Sequence, residues 1–203
     1  MKVLIVSEGK HELGPNHAEG SLSILVRRLL GCEVEIHQEK VSDPQFHTHA
    51  IRGKGSKCLK RALRWIQYAE GNGFDAVVVV IDQDKYPNRI VDLSSAQDSQ
   101  LWPIPRALGV AIREFDAWML ADEVALTDVL GCRVSRQRSP EDMSDPKAVA
   151  ADLLVQSDRS ISQTRMYAEV SKAADLEKLC ERCPKGFDPF ANRVVQMRPV
   201  AEA

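Results

Sequence analysis

The chain has no apolar run approaching the about 20 residues of a membrane-spanning helix. No membrane-spanning helix is therefore expected in it. The stretch Met1–Val6 holds one Lys but meets Ser7-Glu8-Gly9 at once, too soon for a signal peptide. A cytoplasmic protein is expected. Cysteine is scarce: Cys32, Cys58, Cys132, Cys180 and Cys183 are odd in number and irregular in spacing, which rules out a disulfide framework. Cys180 and Cys183 form a lone CxxC with no second pair. They also continue an apolar stripe, Leu176, Leu179, Cys180, Cys183, at helical spacing, so core packing is the better reading. The five histidines make no metal cluster, and His47-Thr48-His49 reads as surface loop. No GxxxxGK[ST] phosphate loop, no GxSxG elbow and no complete dinucleotide fingerprint occurs. Net charge is only −2, so bulk charge does not announce a polyanion binder. No internal repeat is present.

What is present is a 203-residue chain with 44% hydrophobic residues, enough for a packed core. Three apolar runs each end in acids: Val3–Val6 before Glu8, Val77–Ile81 before Asp82 and Asp84, and Leu108–Ile112 before Glu114 and Asp116. Strands are read at Lys2–Ser7, Glu33–His37, Asp75–Asp82 and Leu108–Arg113. The four consecutive valines of the third mark a central strand covered on both faces. Residues 9–16 read as irregular. Asn16 and Glu19 are spaced as a capping box for a helix ending near Gly31. Residues 38–53 read as loop and 56–68 as helix. Residues 89–106 are a weak helix or loop, 115–121 a helix, and 132–143 a polar, mobile segment. A helix capped by Asp145 and started by Pro146 runs to Val155. Strands alternating with helices predict an α/β fold with a mostly parallel sheet of about four strands. Residues 1–130 form that domain and 131–203 a helical C-terminal extension packing on it.

In such a sheet the acids gather at the carboxyl edge, where open α/β sheets bind ligands. Carboxylates converging on apolar strands repel one another unless a cation lies between them. Asp82-Gln83-Asp84 is a DxD, and in extended backbone its two carboxylates point to one side. Hard oxygen ligands of this kind suit Mg²⁺ or Mn²⁺. Glu8 leaves by the same edge before Gly9 and can share the metal or handle a proton. Glu12, four residues on, would support that set from behind. Glu114 and Asp116 repeat the alternation and extend the metal candidates, although Asp116 also suits a helix's first turn. Trp118 reads as core, and Asp122 as the cap of a following helix.

Arg52, Lys54, Lys57, Lys60, Arg61 and Arg64 fall within thirteen residues that contain no acid. Lys57, Lys60, Arg61 and Arg64 line one face of a helix whose other face is Leu59, Ala62, Leu63 and Ile66. A solvated helix face and a phosphate-binding face both fit. The helix feeds the strand carrying Asp82, which favours phosphate contact through Arg52, Lys54, Lys57 and Arg61.

Ser7-Glu8-Gly9-Lys10-His11-Glu12 followed by Val79-Val80-Ile81-Asp82-Gln83-Asp84 resembles the Toprim fold: a glutamate after the first strand, a DxD after a later one. Together with Asp116-Ala117-Trp118-Met119-Leu120-Ala121-Asp122 and Cys183-Pro184-Lys185-Gly186-Phe187, these segments are similar to a family of small Toprim-like bacterial proteins, related to the nucleases of overcoming-lysogenisation-defect type. Lys85-Tyr86-Pro87 stands where that pattern has a glycine after the DxD. The resemblance implies a Toprim-like, Rossmann-like sheet, with Glu8 as acid/base or metal ligand and Asp82 and Asp84 as metal ligands. It implies a Mg²⁺-dependent nuclease of phage defence or mobile elements. The partners expected are nucleic acid, an ATPase encoded nearby and a second copy of the chain as a homodimer, with no membrane. Three alternatives stand beside it. One is a non-catalytic partner of an ATPase whose acids form a structural cation site. Another is a nucleotide-sugar transferase, which leaves Glu8-Gly9 idle. The third is a haloacid-dehalogenase-type phosphatase, which would need its DxD after the first strand.

Overall fold

The computed structural model describes residues 1–14, 19–42 and 55–199. Strands and helices alternate as β1 (Lys2–Ser7), α1 (Lys10–Leu13), α2 (Ser21–Leu30), β2 (Glu35–Lys40), α3 (Lys57–Gly71), β3 (Ala76–Asp82), α4 (Asn88–Gln97) and β4 (Arg106–Ala111). Helices follow: α5 (Asp116–Met119), α6 (Glu123–Leu130), α7 (Pro146–Val155), α8 (Gln163–Ala173), α9 (Leu176–Arg182) and α10 (Phe187–Gln196). The four strands form one fully parallel sheet in the order β2-β1-β3-β4. The fold is α/β, with helices on both faces. Among the described residues, no helix is long and apolar enough to cross a membrane.

The valine run shows why the sheet is buried twice. Successive strand side chains point to opposite faces. Val77 and Val79 pack with α3 and α4 residues such as Ala62, Ile66 and Leu93. Val78 and Val80 pack with α2, α5 and the C-terminal helices through Leu25, Trp118, Phe190 and Val194. The alternation continues in β1, where Val3 and Ile5 join one cluster and Leu4 and Val6 the other. Helix starts are fixed by side chains accepting otherwise orphaned N–H groups. Ser56 accepts from Leu59 (3.0 Å), Asp122 from Val124 (3.0 Å) and Asp145 from Ala148 (2.8 Å). Leu179 and Cys183 of the C-terminal stripe are buried, while Leu176 and Cys180 are half-buried.

Several boundaries differ from the sequence reading, each for a tertiary reason. Residues 9–16 are not wholly irregular, since α1 forms a helical turn within them. Helix α2 begins at Ser21 with Gly20 as N-cap, so Glu19 lies before it and pairs with Arg27 (2.5 Å) instead of closing a capping box. Gly20 sits there because a Cβ would come within 2.1 Å of the Glu12 carbonyl oxygen, so α1 and α2 meet at that point. Strand β2 runs to Lys40, because the register along β1 pairs Lys2 with Glu35 and Ser7 with Lys40. Strand β4 is shifted towards Arg106, where pairing with Val77 begins. Residues 88–97 are a full helix. Residues 132–143 include a 3₁₀ turn, Pro140–Asp142, tied down where buried Glu141 accepts from the backbone of Lys185 (2.9 Å) and Gly186 (2.7 Å). Asn16, His47, Thr48, His49, Arg52 and Lys54 lie outside the described residues, as does most of the loop read at 38–53.

The free edge of β4 is blocked by side chains. Gln97 donates to the Arg106 carbonyl (3.0 Å) and accepts from the Leu108 N–H (2.9 Å), imitating a neighbouring strand. Arg193 donates to the Leu108 carbonyl. An open edge is a template for pairing with another chain. Gln97→Ala is expected to cost about 1–2 kcal/mol and to raise aggregation, checked by urea unfolding and light scattering.

Candidate active site

The chain moves from β1 outward to β2, then crosses back over β1 to place β3 and β4 on the other side. The strand order therefore reverses between β1 and β3. The connection after β1 runs to α1 and α2 on one face, and that after β3 to α4 on the opposite face. Their divergence leaves a crevice at the carboxyl ends of β1 and β3, the place where open α/β sheets bind ligands. Glu8 leaves β1 there, and Asp82 and Asp84 leave β3.

These three residues meet. The Asp82 backbone N–H points at Glu8 Oε2 (3.4 Å). A residue absent from the sequence reading joins them. Arg89, from the first turn of α4, donates to Glu8 (3.2 Å), Asp84 (2.9 Å) and the Asp82 carbonyl (2.5 Å). Its only signal in the sequence is Pro87-Asn88, which marks a helix start after the DxD. The Asp82 carboxylate turns elsewhere and accepts from the Phe115 N–H (2.8 Å). Extended backbone ends at Asp84, whose φ is 49°, so the same-side rule for a DxD stops there and Asp84 reaches α4. Arg113 beyond β4 has φ 63°, and its carbonyl accepts from the Asp84 N–H (2.9 Å). Two adjacent left-handed residues other than glycine lie at one edge, in a conformation that costs about 1–2 kcal/mol each. Such outliers cluster at functional sites.

Behind this row lies a second layer of acid. Glu12, on α1, is buried at 6% exposure. Its Oε2 makes no hydrogen bond among the described residues. It fits only because Gly9 lacks a side chain, since a Cβ there would sit 1.9 Å from that oxygen. Burial, with the charges of Asp116 and Glu8 behind it, pushes the Glu12 carboxyl up to about 7. Burial and the charge of Glu12 push Asp82 up to about 8, against the pull of the Phe115 N–H. Asp116 is also buried. It accepts from the Tyr167 hydroxyl and from Gln163 Nε2 (3.0 Å), both on α8. Tyr167 is driven upward by burial and by Asp116. Glu114 is raised by burial and by Asp116, and its Oε2 is buried without a hydrogen bond among the described residues. Asp122 stands apart: it caps α6 and pairs with Lys178 (3.1 Å), a structural role.

Of the basic candidates, Lys57 and Arg61 line a cavity of about 460 Å³ that also borders Glu8 and Arg89. Among the described residues, no group of three or more His, Cys, Asp or Glu side chains is spaced to hold a metal ion as it stands. Arg89 lies between Glu8 and Asp84 in the place a cation would take. The donor chemistry nonetheless suits Mg²⁺ or Mn²⁺. Hard carboxylate oxygens are gathered at one edge, two of them buried without a hydrogen bond among the described residues, and Asp82 and Glu12 are driven towards protonation by burial first and by neighbouring carboxylates next. Scanned against protein-family models, curated proteins and solved structures, the chain matches none of them.

Proposed function

We propose that this chain is a Mg²⁺-dependent phosphoryl-transfer enzyme, a Toprim-like nuclease working in phage defence or mobile-element biology. The observation that carries the reading is that Arg89 bridges the Glu8 and Asp84 carboxylates beside the Asp82 backbone at the crevice between β1 and β3, with a cationic cavity wall next to them. A bound divalent cation would be held by Glu8, Asp82 and Asp84, with Glu114 and Asp116 nearby, and would neutralise charge building on the phosphoryl oxygens. Lys57 and Arg61 draw in the phosphate backbone. Glu8, with 27% of its side chain exposed, takes the proton of the attacking water or hydroxyl. Glu12, pushed up to about 7 by burial, lies beneath it where it can hold or release a proton near neutral pH. The test is cleavage of DNA and RNA with Mg²⁺ or Mn²⁺ by the wild type and by Asp82→Ala. Loss of cleavage in the variant by at least about 100-fold is expected, and equal cleavage by both removes the assignment.

A second reading rests on Arg89. A guanidinium bridging Glu8 and Asp84 can stand in permanently for a metal, as in a non-catalytic partner of an ATPase. A purified protein that binds such an ATPase and cleaves no nucleic acid would favour it.

A further inference from the structure

The cavity beside the carboxylates has a composition that metal and phosphate chemistry alone does not use. Its floor is apolar: Val79 and Ile81 of β3, Ala62 of α3 and Leu93 of α4. All four are buried side chains of the sheet's α3/α4 face. The mouth is cationic, with Lys57 and Arg61 both exposed on α3. Tyr86 stands at the rim with 51% exposure and with the Arg89 guanidinium 5.0 Å from its ring centre. Asp92, which accepts from Ser56 (2.5 Å), adds an acceptor on the wall. Glu8 closes one end and is shared with the carboxylate row.

A pocket of about 460 Å³ falls within the size range of small-ligand sites. An apolar floor with an exposed ring beside it receives a flat π-face, and the cations beside them receive an anion. Those two features together describe a nucleotide unit within a polyanion. A base stacked inside a duplex cannot present its face to a recessed cavity; an unstacked one can. We infer that this cavity seats one base of a single-stranded nucleic acid, placing the neighbouring phosphate at Glu8 and the DxD. The inference rests on the nuclease reading for the identity of its ligand and makes single strands the preferred substrate class.

Binding in EDTA tests it without cleavage. Fluorescence anisotropy would compare a labelled single strand of about 12 nucleotides with its blunt duplex at fixed salt. The single strand is expected to bind about tenfold tighter. Tyr86→Ala and Cys58→Trp, the latter filling the cavity from α3, should each weaken single-strand binding about tenfold and leave duplex binding unchanged. Lys57→Ala should weaken both alike, because phosphate contact carries no strand preference. Equal affinity for the two forms, single-strand binding indifferent to both Tyr86→Ala and Cys58→Trp, or no binding at all would overturn the inference. Cleavage of duplex without single-strand preference would remove this inference and keep the nuclease. Selective single-strand binding without cleavage under any metal would do the reverse.

Discussion

Asp82→Asn is expected to make the protein more stable at pH 8.5 while abolishing the proposed cleavage. The Asp82 carboxyl is raised to about 8 by burial first and by Glu12 next. In the unfolded chain an aspartate titrates near 3.9. Between those values the folded state holds a proton that the unfolded state has released. Stability is therefore fully present below about pH 4 and is lost as pH rises through about 8. Glu12, raised to about 7, adds a loss in the same direction ending about one unit earlier. Asparagine keeps the acceptor for the Phe115 N–H and removes the charge. The variant should match wild type at pH 4 and exceed it by about 1–3 kcal/mol at pH 8.5. In melting temperature that is about 2–4 °C per kcal/mol. Mg²⁺ or Mn²⁺ should raise the melting temperature of wild type at pH 8.5 and not that of Asp82→Asn. A melting temperature of metal-free wild type that does not fall between pH 5 and 8.5 would show that the carboxyl carries no such burden.

Trp118→Ala should cost about 3–5 kcal/mol in urea unfolding. The indole is fully buried. It stacks on Phe190 (centroids 5.3 Å, planes 21° apart), meets Phe187 edge-on at 5.2 Å and lies 5.3 Å from Phe115. One side chain thus joins α5 to α10, which packs on β4. Its Nε1–H makes no hydrogen bond among the described residues. Trp118→Phe removes that unsatisfied donor along with part of the ring, so its cost should stay below about 2 kcal/mol. The effect reaches the site. Phe115 is held by this cluster, and its N–H is the one aimed at Asp82. Asp116, two residues before Trp118, carries the bond from Tyr167. A truncation at Trp118 that left unfolding unchanged would mean the aromatic cluster does not hold α5 in place.

Much of the fold was legible along the chain because its signals are local. The valine run, alternating apolar faces and caps at Asp122 and Asp145 depend on neighbours within a few residues. The candidate acids at the ends of β1, β3 and β4 followed from those strands. The exact start of α2 did not, because it depends on the close approach of Gly20 to α1. Cys180 and Cys183 were readable as a helical stripe, though only Cys183 is fully covered.

What the sequence determined by itself is which carboxylates stand at the carboxyl edge of the sheet, since strand periodicity and parallel crossovers are properties of short segments. Which charges would face them was decided by the tertiary structure. The order β2-β1-β3-β4 brought Glu8 beside Asp82, 74 positions away. The docking of α4 placed Arg89 between Glu8 and Asp84, and α8 brought Tyr167 to Asp116 across 51 positions. Glu12 became a buried acid only because Gly9 left room for it. Desolvation and Coulomb interactions act through space, and no spacing along the chain encodes them.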